Sequence, residues 1–219
     1  MKTITFCVEE LLKQQPFLEE ALSRGIINYS ALAEELIPEI GKRVGKPVKS
    51  GAIMMALRRY SIPQAITNTN KLKQIIMQLG DITVRSNLTD FTYKNSSTLI
   101  DSHAKILNLI NKKTNIFYAF TRGIHESNLI ITTQEKENVI SSFKGEILLE
   151  SLDKLSAISI QLPENNTRMT GLYYHIFKLL AWEGISIYEM VSTTNEFTLL
   201  FEDMYIDKAF KIISRLKEI

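Results

Sequence analysis

The chain has 219 residues, 45% of them apolar and 23% charged, with a formal net charge of +2. That length allows one large domain or two to three small ones. The composition is that of an ordinary globular protein, and so small a net charge excludes a polyanion binder acting through bulk charge alone.

A single cysteine, Cys7, excludes an intrachain disulfide. It fits a reducing compartment and reads as a small buried apolar side chain. No apolar run approaches the roughly 18 residues that span a bilayer. Glu9 and Glu10 interrupt the apolar start, where a cleavable signal would be continuous. The expectation is a cytoplasmic protein with no membrane partner.

Charge divides the first eighty residues. Seven glutamates between Met1 and Glu39 are opposed only by Lys2, Lys13 and Arg24. From Ile40 to Gly80 there is no acidic residue, whereas Lys42, Arg43, Lys46, Lys49, Arg58, Arg59, Lys71 and Lys73 all fall there. The apolar spacing of this region predicts helices. Leu11, Leu12, Leu18 and Leu22 suggest one or two, interrupted near Pro16 and closed by Gly25. Ser30 is the expected N-cap of the next, which carries Leu32, Ala33, Leu36, Ile37 and Ile40 and which Pro38 should kink or shorten. Ser50 is the expected cap of another, with Ile53, Leu57 and Tyr60 on one face and Pro63 beyond it.

The segment from Ile27 to Ala33, followed by Ser50 to Tyr60, resembles a helix-turn-helix or winged-helix arrangement. The resemblance implies contact with DNA, with Lys42, Arg43, Lys46, Lys49, Arg58 and Arg59 as candidates. The connection from Lys42 to Lys49 is longer than the usual three or four residues. Few base-reading side chains stand at the start of the second helix, so phosphate contact is the expected mode. A helical domain with a merely solvated basic face is the competing reading.

A repeat of about seventy residues follows. In its second copy, Ile158, Ile160 and Leu162 alternate with Ala157, Ser159 and Gln161, the pattern of a half-buried strand. A polar loop from Pro163 to Thr170 leads to Leu172, Ile176, Leu179 and Leu180 at amphipathic helical spacing. Gly184 stands where a left-handed cap is wanted. Strands are expected over Ile185–Thr193 and Phe197–Phe201, then a helix bearing Ile206, Ala209, Phe210 and Ile213. The first copy repeats the order: a strand near Asp81–Tyr93, a helix with Leu99, Ile106, Leu107 and Ile110, strands at Ile116–Phe120 and Leu129–Thr133, and a helix around Val139 and Ile140. Ile147 to Glu150 could finish a sheet. The fold class is therefore α+β, with two ferredoxin-like βαββα(β) units after a small, mainly helical domain. The expected divisions are 1–78, 79–151 and 152–219.

Gly171-Leu172, Phe177, Leu180, Gly184-Ile-Ser-Ile187 and Val191-Ser-Thr193 resemble the ACT domains of aspartate kinases. The first copy lacks both glycines. The resemblance implies domains that pair side by side, a homodimer, and an amino acid held at an interface. Independently of it, the loop that ends at Gly171 offers free helix amides to an anion, and Gly171 has no side chain in the way. Asn165, Asn166, Met169, Thr170 and Gly171, with Ser192 and Thr193 from the following strand, are the candidate ligand-binding residues.

Catalytic signatures are lacking. The three histidines, His103, His125 and His175, are scattered, and neither a phosphate-cradling glycine loop nor a dinucleotide fingerprint occurs. His103 reads as a partly buried structural histidine. No metal or cofactor is expected. The reading is a non-catalytic regulator with an amino-acid effector. The alternatives are a DNA-binding transcriptional regulator and a regulatory subunit of an amino-acid biosynthetic enzyme.

Overall fold

The computed structural model describes residues 2–60, 76–164, 166 and 171–218. Pro63, Lys71, Lys73, Asn165, Met169 and Thr170 lie outside them. The chain forms two compact units, residues 1–72 and residues 73–219.

In the first unit the described residues form five short helices, and prolines set their breaks. α1 (Ile4–Lys13) starts at Thr3, whose hydroxyl accepts from Phe6 N at 3.2 Å. Pro16 opens α2 (Pro16–Ser23), where its missing N–H costs nothing. The run expected as one kinked helix is two, α3 (Tyr29–Glu35) and α4 (Ile37–Val44), because Pro38 falls in the first turn of α4. The cap of α3 is Asn28, not Ser30: its Oδ1 accepts from Ser30 N at 3.0 Å and Ala31 N at 3.2 Å. α5 (Ser50–Arg59) has no side-chain cap, and Ser50 is its first residue. Cys7, Leu11, Leu12, Ala33, Ile40, Ile53 and Leu57 form the centre of this unit's core.

The second unit runs β1 (Ile82–Lys94), α6 (Leu99–Ile110), β2 (Tyr118–Arg122), β3 (Glu126–Thr132), α7 (Lys136–Ser142), then β4 (Leu148–Gln161), α8 (Leu172–Trp182), β5 (Glu189–Ser192), β6 (Glu196–Glu202) and α9 (Ile206–Ser214). All six strands join one antiparallel sheet in the order β2-β3-β1-β4-β6-β5. The two halves thus have the same element order. β4 runs through residue 151, where a division was expected, so the segment Ile147–Glu150 and the strand at Leu155 belong to one element. The strand expected over Ile185–Thr193 is confined to Glu189–Ser192.

The long strands β1 and β4 are shared. The end of β1, from Leu88 onward, pairs with β3 on one side; on the other, Asp90, Phe91 and Thr92 face Leu152, Ser151 and Glu150 at the start of β4. The end of β4 pairs with β6, while Ile82, Thr83 and Val84 face Ile160, Ser159 and Ile158. Each half therefore takes its fourth strand from the other. Where the roles change, the register shifts, and Asn87 and Lys154 both adopt φ of 59°. Such bulges bend a strand and increase its twist.

The bend explains the burial. In the first half, Phe91, Leu129 and Ile131 pack with Leu99, Ile106, Ile110 and Val139 of the helices. The alternate residues Leu88 and Ile130 instead join Leu155, Ala157 and Leu200 of the second half in a common cluster, with Phe117 and Tyr188 packed against it. Both faces of the sheet are buried near its centre. Hence the expected half-buried alternation in β4 gives way to four consecutive buried residues, Leu155 to Ile158.

Candidate functional site

The second half gathers its candidate residues at one end of the sheet. Gly171, at φ +92°, precedes α8, and its carbonyl accepts from His175 N at 2.9 Å. Among the described residues, a side chain added at Gly171 would meet nothing within 4 Å. A non-glycine residue there would still be strained by the left-handed backbone. As the N-cap residue, Gly171 brings no side chain of its own to the first amides of α8.

Asn166 is buried, and its Nδ2 donates to the carbonyls of Pro163 (3.0 Å) and Thr194. Leu162 N also donates to Asn195 O at 2.8 Å. Asn166 therefore ties the loop to the β5–β6 turn, and its amide is committed to that task. Ser192 and Thr193 are exposed at the same turn; Thr193 N donates to Glu196 O at 2.8 Å. Ser192 Oγ lies 3.3 Å from the Tyr173 hydroxyl on the first turn of α8. Asn166 thus reaches the turn that carries Ser192 and Thr193, and Tyr173, two residues after Gly171, reaches Ser192. Tyr173 was not singled out in the sequence, where it reads as one more aromatic helix residue. Its ring packs on Phe197, 4.6 Å between centroids, which fixes the hydroxyl toward Ser192. A shallow concavity of about 360 Å³ adjoins β5, lined by Phe177, Ile187, Tyr188, Glu189 and Met190.

The first half fills the corresponding place with its own carboxylate. Glu146 accepts from Ser96 Oγ at 2.5 Å, Thr98 Oγ1 at 2.8 Å and Ser102 Oγ at 3.0 Å, around the start of α6. These bonds, Ser96 first, hold the Glu146 carboxyl below its usual range. Asn95 links this loop to the β2–β3 turn, donating to Gly123 O at 2.8 Å and accepting from Ser127 Oγ at 2.6 Å. Sequence reasoning missed Glu146, because the contact spans about fifty residues and no spacing announces it.

Among the described residues no group of histidine, cysteine and acidic side chains could hold a metal ion. His103 lies flat on Phe120, 3.8 Å between centroids, and burial lowers its pKa. No described helix is long and apolar enough to cross a membrane.

No protein-family model and no curated protein matches the chain. Solved structures do. The alpha and beta subunits of aspartokinase superpose with a TM-score of 0.53 at 12% identity, over 64% of this chain and 99% of that one. The fold is ACT-like. The ligand-free regulatory subunit of aspartate kinase from Thermus thermophilus gives a TM-score of 0.51 at 8% identity, covering 63% of this chain and 97% of that one. Aspartate kinase from Clostridium acetobutylicum gives 0.51 at 16% identity, but only 34% of its chain is matched. The ACT-like sheet and helices of this protein thus have the fold of the regulatory parts of aspartate kinases.

Of the candidate nucleic-acid residues in the first unit, Lys42, Lys46, Lys49, Arg58 and Arg59 are exposed. Arg43 is engaged: its Nε donates to Glu39 Oε1 at 2.9 Å and its Nη2 to Gln14 Oε1 at 3.3 Å.

Proposed function

We propose that the chain is a non-catalytic regulatory protein that binds an amino acid at the start of α8. The ligand's carboxylate sits on the uncapped amides behind Gly171. Asn165, Met169 and Thr170 complete the loop, and Ser192 and Thr193 close the site from the turn. Asn166 positions the loop instead of touching the ligand. A second copy of the chain encloses the ligand, because helix-end electrostatics supply only about 0.3–1 kcal/mol and millimolar affinity needs about 4 kcal/mol.

The observation that carries this reading is the contrast between the halves. Hydroxyls at the helix start of the first half hold the carboxylate of Glu146, whereas among the described residues nothing stands within 4 Å of a side chain placed on Gly171 at the start of α8. The likeness to aspartate kinase regulatory parts supports it. A thermal-shift screen of the twenty amino acids tests it. A true ligand at 100 times its Kd stabilises by about 2.7 kcal/mol, and Ser192→Val should reduce the shift. If no amino acid moves the melting temperature at millimolar concentration, the reading fails.

A second reading rests on the near-complete match to the Thermus regulatory subunit. Here the chain serves as the regulatory subunit of a biosynthetic enzyme, and a stoichiometric enzyme should co-purify with it.

A further inference from the structure

The first unit carries a surface that the amino-acid reading does not use. The second half of α4, the connection after it and α5 lie in a stretch with no acidic residue, from Ile40 to Gly80. The connection folds back on α4: Lys46 O lies 3.6 Å from where a side chain on Gly41 would begin. That return brings Lys46 beside the turn of α4 that carries Lys42. Lys49 then immediately precedes α5.

α5 is buried through Ile53, Ala56 and Leu57 and exposes Gly51, Ala52, Met55, Arg58 and Arg59. Between Lys49 and Arg58 its outward face is therefore uncharged, with Met55 the one large side chain there, and cations stand at both ends. Nine residues separate Lys49 from Arg58, about 13 Å along the axis at 1.5 Å per residue. The major groove of B-form DNA is about 12 Å wide and admits a helix. Gly51 and Ala52 let the first turn of the helix approach the groove, and the two cationic ends meet its phosphate rims. The Arg58 guanidinium rests over the Tyr29 ring, 5.9 Å from its centroid, which holds it at the end of the helix. Lys42, Lys46, Lys49, Arg58 and Arg59 enter no ion pair among the described residues, whereas Arg43 is bound to Glu39.

We infer that α5 with the Lys42–Lys49 connection is a duplex-DNA-binding surface that grips phosphates and reads little sequence. The exposed side chains between the cations, Gly51, Ala52 and Met55, have nothing to pair bidentately with a base edge. A-form RNA has a major groove too narrow for a helix, so duplex DNA is the partner the geometry favours.

The test is fluorescence anisotropy of the full chain with a labelled 20-base-pair duplex of arbitrary sequence. Five phosphate contacts predict a log–log salt slope near −4.5, roughly a 500-fold loss between 50 and 200 mM salt. Arg58→Glu/Arg59→Glu and Lys46→Glu/Lys49→Glu should each weaken binding at least roughly tenfold at 50 mM, since each removes two of the five contacts. The two pairs sit at opposite ends of α5, so one remains informative if the other fails to fold by circular dichroism. Arg43→Gln and the charge-matched Lys211→Glu/Arg215→Glu, in α9 and just after it, should change binding less than about threefold, and a scrambled duplex should bind equally. The inference is overturned by no binding at 50 mM salt, by an equal loss in the α9 control, or by tighter binding of double-stranded RNA.

Discussion

The Tyr188 hydroxyl donates to Asp90 Oδ2 at 2.8 Å, joining the residue before β5 to the middle of β1. Asp90 is fully buried, and its other oxygen finds no hydrogen-bond partner among the described residues. The phenol, with a longer bond from Thr92 Oγ1 at 3.4 Å to the same oxygen, therefore carries much of the burden of a desolvated carboxyl on the face the two halves share. Tyr188→Phe should cost about 1–3 kcal/mol in urea denaturation, since it strands a buried acceptor.

The same carboxyl sets a pH dependence. Burial raises the Asp90 pKa above 3.8, against the opposing bond from Tyr188. The folded state then holds the proton more tightly than the unfolded one, so this group's contribution falls as pH rises through the folded pKa. Below about 3.8 its penalty is gone. Asp90→Asn should compare more favourably with the natural chain at pH 7 than at pH 4. Urea midpoints at the two pH values check this, and an unchanged difference would contradict it.

Glu146 has the opposite sign. Its folded pKa is held below 4.5, so the stability it confers is present above that value and is lost as pH falls through the folded pKa. Glu146→Ala should cost about 1–2 kcal/mol near neutrality, given three hydroxyl donors left without their acceptor. The deficit should shrink toward pH 3 when followed by far-ultraviolet circular dichroism.

In the first unit, Tyr60 donates to the buried carboxylate of Glu19. Burial first, and then Glu19, push the Tyr60 hydroxyl up from 10.0 to about 12. Stability from this group is complete below pH 10 and declines as pH rises toward 12. Ultraviolet titration at the phenolate band should show several tyrosines ionising late, because burial also raises Tyr93, Tyr118 and Tyr188, and Tyr60→Phe should reduce that late amplitude by one tyrosine.

Burial distinguishes two leucines that look alike in the sequence. Leu155 is fully buried in the cluster shared by the halves, and Leu155→Ala should cost about 2–5 kcal/mol. Leu107, expected on the inner face of its helix, is 40% exposed, and Leu107→Ala should cost well under that, about 0.5 kcal/mol. Thermal melts of the two variants decide the matter.

Local chemistry made much of this fold legible. Period-two and helical spacing placed β1, β6, α6 and α8 within a few residues, because each has one face under helices or sheet. Pro16 and Pro38 marked real breaks for the reason proline always does. What the sequence hid depends on contacts distant in the chain. Asn28 takes the cap expected of Ser30 because backbone geometry, not residue type, decided between two good cappers. The seam at Asn87 and Lys154 carries no glycine, so the exchange of strands between halves had no marker. Gly171 pointed to the start of α8 as a candidate anion site, which the amino-acid screen tests, whereas the role of Glu146 at the start of α6 became visible only in the structure.

The lending of strands between the halves bears on how the molecule could respond to an effector. A ligand that tightens the loop before α8 acts on β4, whose opening residues lie beside β1 and thus support α6 and its neighbours. Neither half can loosen its long central strand without taking hydrogen bonds from its sibling. Melting should therefore be one event for residues 73–219, and an isolated half should be a poor folder. Whatever is sensed at one end has a mechanical route to the other.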